Sequence, residues 1–192
     1  MIPPVITVVD FETTRPSRDT LSEPWQVGII QLRNGVPDPA SKWFSYLRVR
    51  GKPTFSGVTP TRAELCRMEQ SLTLPELLPT LLRHYLCYPL AAHHAAVERN
   101  ILRHAAPLHD FGVWIDTLEL AKQHLPGLHS YALCDLCRQL GLQGPLQSLC
   151  PGLAPHNALY DACACALLLQ FLQNSYSAIT RYLYSAQQLH LF

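Results

Sequence analysis

Three acidic segments interrupt otherwise apolar faces, and they constrain the fold of this chain more than any other feature. Pro4 to Val9 is a β-branched run, PVITVV, too short for a helix and suited to a strand buried on both faces. It leads into Asp10 and Glu12, which the two-residue period of a strand points to one face. Ala95 to His104 reads as a helix on which Glu98 shares a face with Ile101, Leu102 and Ala105, so its carboxylate aims inward. Asn157 to about Gln173 reads as a buried helix, apolar nearly all round, on which Asp161 lines up with Cys165 and Leu168.

Buried acids need partners. Two like charges about 4 Å apart repel by about 4 kcal/mol at an effective dielectric near 20, so four converging carboxylates require protons or cations. Two divalent ions cancel four negative charges, and hard oxygen ligands without a cysteine or histidine cage favour Mg²⁺ or Mn²⁺ over Zn²⁺. An open acidic site of this kind suits a phosphodiester clamped between two metals. His156 precedes Asp161 by five residues, a turn of about 140° on a helix, so the two do not share a helical face. It is instead expected on the loop entering the helix, where an imidazole that titrates near neutrality serves as a general base.

The rest of the chain supplies one α/β domain. At 192 residues and 48% hydrophobic, it has material for a full core, and 15% charged residues place it far from disordered compositions. A net charge of +1 excludes attraction of nucleic acid or membrane by bulk charge, so any such contact is local. Nothing before Asp10 resembles a secretory signal, and no apolar stretch reaches the roughly 20 residues that span a bilayer. The short apolar stretches predict no membrane partner, and seven cysteines without a framework pattern read as reduced thiols, in keeping with a cytoplasmic protein. Trp25 to Leu32 and Lys42 to Val49 form a meander with Asn34-Gly35 in its turn. A helix capped by Thr73 and Glu76 follows, bent by Pro79. Cys87 to Ala92 and Gly112 to Ile115 are short strands around the Glu98 helix. Asp116 and Glu119 form a second capping box, Ser130 caps a helix through Leu140, and Gly144 to Pro155 is a loop. Strands first, then alternating helices and strands, give a mixed sheet flanked by helices.

VVDFETT (Val8 to Thr14), AHHAAVERNIL (Ala92 to Leu102) and HNALYDA (His156 to Ala162) together resemble, in order and spacing, the three motifs of DnaQ-like DEDDh exonucleases of the small bacterial exonuclease X-like and proofreading type. The resemblance spans most of the chain. It implies a ribonuclease H-like fold over residues 1–174 and a metal-dependent 3′-to-5′ exonuclease that releases nucleoside 5′-monophosphates. Its implied partner is a DNA 3′ end, with RNA as the alternative, in replication, repair or proofreading. Asp10, Glu12 and Asp161 would then hold the metal carrying the attacking water, Asp10 would bridge to a second Mg²⁺ or Mn²⁺, and His156 would accept the proton. Phe11, Thr13 and Thr14 would hold the terminal nucleotide. The family usually has aspartate where this chain has Glu98, and commonly asparagine where it has His94. The longer side chain moves the carboxylate by about one bond length, and catalytic geometry responds to shifts of about 1 Å. Activity altered but retained is the expectation, against the alternative of a silent relative that binds 3′ ends.

Other candidates take plainer readings. Asp116 is a helix cap and stays outside the site. Cys134 and Cys137 form a C-x-x-C inside a helix, which reads as packing and not zinc or redox chemistry. His93 and His94 take hydrogen-bonding work at a strand-to-helix corner. Arg15, Arg18, Arg99 and Arg103 read as solvated surface, with phosphate contact the alternative. In the tail from residue 175 to 192, the last five residues resemble the pentapeptide by which bacterial replication and repair proteins bind the sliding clamp, with Gln188, Leu189, Leu191 and Phe192 as anchors. An apolar tail folded onto the core is the equal alternative.

Overall fold

The computed structural model describes residues 5–16, 22–51, 53–55, 59–180 and 183. β1 (Val5–Thr13), β2 (Pro24–Arg33), β3 (Val36–Tyr46), β4 (Leu90–Ala92) and β5 (Trp114–Asp116) form one sheet in the order β3-β2-β1-β4-β5. β1 runs antiparallel to β2 and parallel to β4, and β4 is parallel to β5. The helices are α1 (Arg62–Gln70), α2 (Leu74–His84), α3 (Ala96–Ala105), α4 (Thr117–His124), α5 (Leu133–Gln139), α6 (Gln143–Leu149) and α7 (Ala158–Ser175). This is the expected α/β, ribonuclease H-like architecture: a mixed sheet with helices on both faces.

Alternation along β1 sorts its side chains between two cores. Ile6 and Val8 join the core that holds α5, α6 and α7, whereas Val9 and Phe11 join the one that holds α2 and α3. The even set continues into Asp10 and Glu12, so the period that buries Ile6 and Val8 carries both acids toward α7. β1 pairs with β4 at Thr7 and Val8 and then runs five residues further, leaving that side of its C-terminal end open. In open sheets of this kind, ligands bind beyond the carboxyl ends of the parallel strands.

Several elements differ from the sequence expectation. β3 begins at Val36 and not near Lys42, because Asn34 (φ 51°) and Gly35 (φ 81°) form a two-residue hairpin turn. Pro37 and Pro39 fit there because β3 is an edge strand. β4 starts at Leu90 and not Cys87. The Gly144 to Pro155 segment is not all loop. α6 places Leu146 and Leu149 in the core, and Pro145 is tolerated in its first turn, where no intrahelical N–H bond is lost. Ser130 is not an N-cap, since α5 starts after Ala132; its hydroxyl instead donates to Asp135 Oδ2 and accepts from the Ala132 N–H. Asp116 does cap α4, but Glu119 does not return the bond and pairs with Lys122. The Thr73–Glu76 capping box forms as expected, with Pro79 inside α2.

Within the segment expected as a tail, Ile179 and Leu183 are buried in the α7-side core. The clamp-like pentapeptide Gln188 to Phe192, and Arg18, lie outside the described residues. Among the described residues, no helix is long and apolar enough to cross a membrane.

Candidate active site

The acidic site is assembled at the open end of β1 by α7 on one face and α3 on the other. Two contacts seat α7. Gly28, the register partner of Asp10, lies so close to the first turn of α7 that a Cβ built there would meet the Ala158 carbonyl carbon at 2.2 Å. Gln26, the partner of Glu12, accepts the Ala158 N–H through Oε1 at 3.0 Å. Asn157 caps the helix through the N–H groups of Leu159 and Tyr160. Asp161 thereby comes to rest above the face that carries Asp10 and Glu12.

His156 occupies the loop before α7, as expected. Its backbone is left-handed (φ 66°), and its N–H donates to Asp161 Oδ2 at 2.8 Å. Its ring is largely exposed, with Nδ1 4.0 Å from Glu12 Oε1. Glu12, His156 and Asp161 each offer a ligand atom within 4.8 Å of the others. Asp10 and Glu98 lie outside that triad and complete the acidic set electrostatically. The structure therefore brings together all five residues expected from the three segments, as a tight triad with two carboxylates beside it.

Loss of hydration dominates the electrostatics. Burial pushes Asp10 well above the ordinary carboxylate range, and the charges of Asp161, Glu98 and Glu12 add to the shift. Burial, then the Asp161 charge, raises Glu12 to about 7, with His156 opposing. Burial raises Asp161 to about 6, against the hydrogen bond from the His156 N–H and the His156 charge. Glu98 is 4% exposed, and burial followed by the Asp116 charge lifts it to about 8. Its Oε2 is buried with no hydrogen-bond partner. A half-satisfied buried carboxylate beside three others is the donor set a hard divalent cation fits.

Residues assigned to the terminal nucleotide are placed less simply. The Phe11 side chain is in the α2/α3 core, and its backbone pairs with Val27. Thr14 is buried, accepts the Glu23 N–H through its hydroxyl and bridges to Phe55. Thr13 is half-buried at the β1 bulge.

Asp116, read from sequence as a cap alone, also organises the corner. Its carboxylate accepts the N–H groups of His94 and Ala95 as well as those of Leu118 and Glu119, tying β5, α4 and the entry to α3 together. His93 is the hydrogen-bonding residue expected. Nε2 hydrogen-bonds to the Tyr131 carbonyl and Nδ1 to the Thr117 hydroxyl, and burial lowers the ring's basicity. Sequence reading missed Gly28 and Gln26. A lone glycine inside the apolar run Trp25 to Leu32 was the available signal, because such a glycine marks a close backbone approach.

The fold that positions this site is that of DEDDh-type 3′-exonucleases. No family model and no curated protein sequence matches the chain. Solved structures similar to it include the nuclease domain of 3′hExo, a DEDDh family member, bound to rAMP. That similarity has 14% identity and a TM-score of 0.64, and covers 90% of this chain and 93% of that one. Exonuclease I from Methylocaldum szegediense is 16% identical with a TM-score of 0.68, covering 94% of this chain and 43% of that one. E. coli exonuclease I in complex with a dT13 oligonucleotide is 12% identical with a TM-score of 0.65, over the same shares.

Proposed function

We propose that this chain is a divalent-metal-dependent 3′-to-5′ exonuclease that releases nucleoside 5′-monophosphates from DNA 3′ ends. The observation that carries the reading is the gathering of Asp10, Glu12, Glu98 and Asp161, with His156 at their rim, at the open end of β1 in an exonuclease fold. The four carboxylates would hold two Mg²⁺ or Mn²⁺, and the raised carboxylate basicities and the unpartnered Glu98 Oε2 fit that load. Such ions neutralise the phosphodiester, polarise its phosphoryl oxygen and acidify bound water. His156 takes the proton of the attacking water on its exposed ring, and Glu12, 4.0 Å from Nδ1, stabilises the imidazolium that results. The Asp161 carboxylate holds the His156 backbone and so fixes where the ring stands. Thr13, at the free end of β1, and the backbone around Phe11 and Thr14 border the space for the terminal nucleotide.

The test is the product ladder from labelled, sequence-matched DNA and RNA oligomers in Mg²⁺, Mn²⁺ or EDTA, beside Asp10→Ala. Stepwise shortening from the 3′ end that requires metal and is lost in Asp10→Ala is expected. Digestion in EDTA, or equal digestion by the variant, overturns the reading. A faster ladder on RNA would make the chain an exoribonuclease, a reading favoured by the rAMP bound to 3′hExo. The second reading, a silent 3′-end binder, is favoured by Glu98 standing in place of aspartate. Tight oligomer binding without digestion in either metal would establish it. Seven cysteines spread without a framework pattern support a cytoplasmic setting. A role in replication or repair rests on the tail: deleting Gln188 to Phe192 abolishes sliding-clamp binding if those residues anchor it, and unchanged affinity ends that proposal.

A further inference from the structure

We propose a second nucleic-acid subsite on the outer side of α3, away from the carboxylates, that takes a nucleotide of the strand upstream of the reacting end. A cavity of about 300 Å³ opens there between α3, the loop after it and the start of β5. Arg99 and Arg103, four residues apart on one exposed helical face, line it together with His109, Phe111 and Trp114. Among the described residues, neither guanidinium group has a hydrogen bond or an ion pair, so both are available to an anion. The one acid in the lining, Asp110, is engaged by the Gly112 N–H, and the two arginines outnumber it.

The chemistry matches a single strand. Guanidinium groups bind phosphate through paired N–H donors, and aromatic faces stack bases without reading sequence. His109 packs edge-on against the buried Phe111, with ring centroids 4.6 Å apart, which makes one wall of the cavity rigid. The half-buried Trp114 supplies an indole at the edge strand β5. Helical rise places Arg103 about 8 Å along the α3 axis from Glu98, within a few nucleotides of the acidic site. The chain's net charge of +1 makes such a local basic-aromatic patch the available means of holding a polyanion.

This inference rests on the exonuclease reading for its ligand, and equilibrium binding separates the two. Anisotropy of labelled dT2 and dT8 is measured in EDTA, where no hydrolysis occurs, for the wild-type protein and for Arg99→Ala/Arg103→Ala. The wild type is expected to bind dT8 at least tenfold more tightly than dT2. The double variant loses most of that increment and flattens the salt dependence by about 0.7 in the log-log slope per phosphate contact removed. Arg99→Lys/Arg103→Lys keeps the charge and restores the slope. A wild type with no gain from dT2 to dT8, or a double variant that keeps the full gain or loses equally on both lengths, overturns the subsite. Absence of hydrolysis in Mg²⁺ and Mn²⁺ would overturn the enzymatic reading while leaving this binding result intact.

Discussion

Glu98 holds a carboxylate that is 4% exposed, one oxygen of which has no hydrogen-bond partner, on a helix whose other inward residues are apolar. Without a cation it destabilises the fold whenever it is ionised. Its basicity is raised from an ordinary 4.5 to about 8, so the proton-bound form carries the stability, which is full below pH 4.5 and lost as the pH climbs toward 8. Glu98→Gln keeps the shape and removes the charge. Thermal melts of the metal-free variant should therefore lie above wild type by about 4 °C or more at pH 8, since about 1 kcal/mol shifts a domain of this size by 2–4 °C. The two proteins should converge at pH 5. If Glu98 holds a cation as proposed, the same variant should lose about 10²-fold or more in kcat. A variant that melts higher but digests as fast would show Glu98 to be structural only.

The elements that carry the acids are seated by contacts outside the carboxylate cluster itself. Gly28→Ala places a methyl group against the backbone of Ala158, which cannot yield as a side chain would. The expected cost is about 3 kcal/mol, in the range of overpacked cores, or a melting point lower by about 6–12 °C. Activity should fall further than stability, because α7 moves Asp161 and the His156 loop together. A soluble variant of normal activity would show that α7 does not need this close approach. Asp116 does parallel work at the other side. Asp116→Ala strips acceptors from N–H groups at the starts of both α3 and α4 and should cost about 2 kcal/mol. Asp116→Asn keeps an acceptor and should cost well under half of that in chemical denaturation. Equal losses in the two variants would mean that charge, and not capping, is what the corner requires.

Across the whole molecule, the metal-free protein should behave as a pH-dependent fold that cations rescue. Asp10, Glu12, Glu98 and Asp161 all have raised basicities, so the folded state binds more protons than the unfolded one between about pH 4 and pH 8, and stability falls as the pH rises through that window. Saturating Mn²⁺ or Mg²⁺ should raise the melting point several degrees at pH 8 and little at pH 5. A melting point indifferent to both pH and cation would mean that the carboxylates do not converge in solution. Which side chains face which core is legible from the order of residues alone. The period of two along β1 carried Asp10 and Glu12 to the side of Ile6 and Val8, and the helical period aimed Glu98 and Asp161 inward, because these are properties of the local backbone. α6 was hidden because the Gly and Pro content of its segment masked a helical apolar pattern that only a neighbouring core rewards. Tertiary structure alone decided that Glu12, His156 and Asp161 form the tight triad while Asp10 and Glu98 stand beside it. It also decided that Gly28 and Gln26 seat α7 and that Asp116 ties three elements to one corner. These are distances between residues as far apart along the chain as Glu12 and Asp161, set by packing and register, and no local preference encodes them.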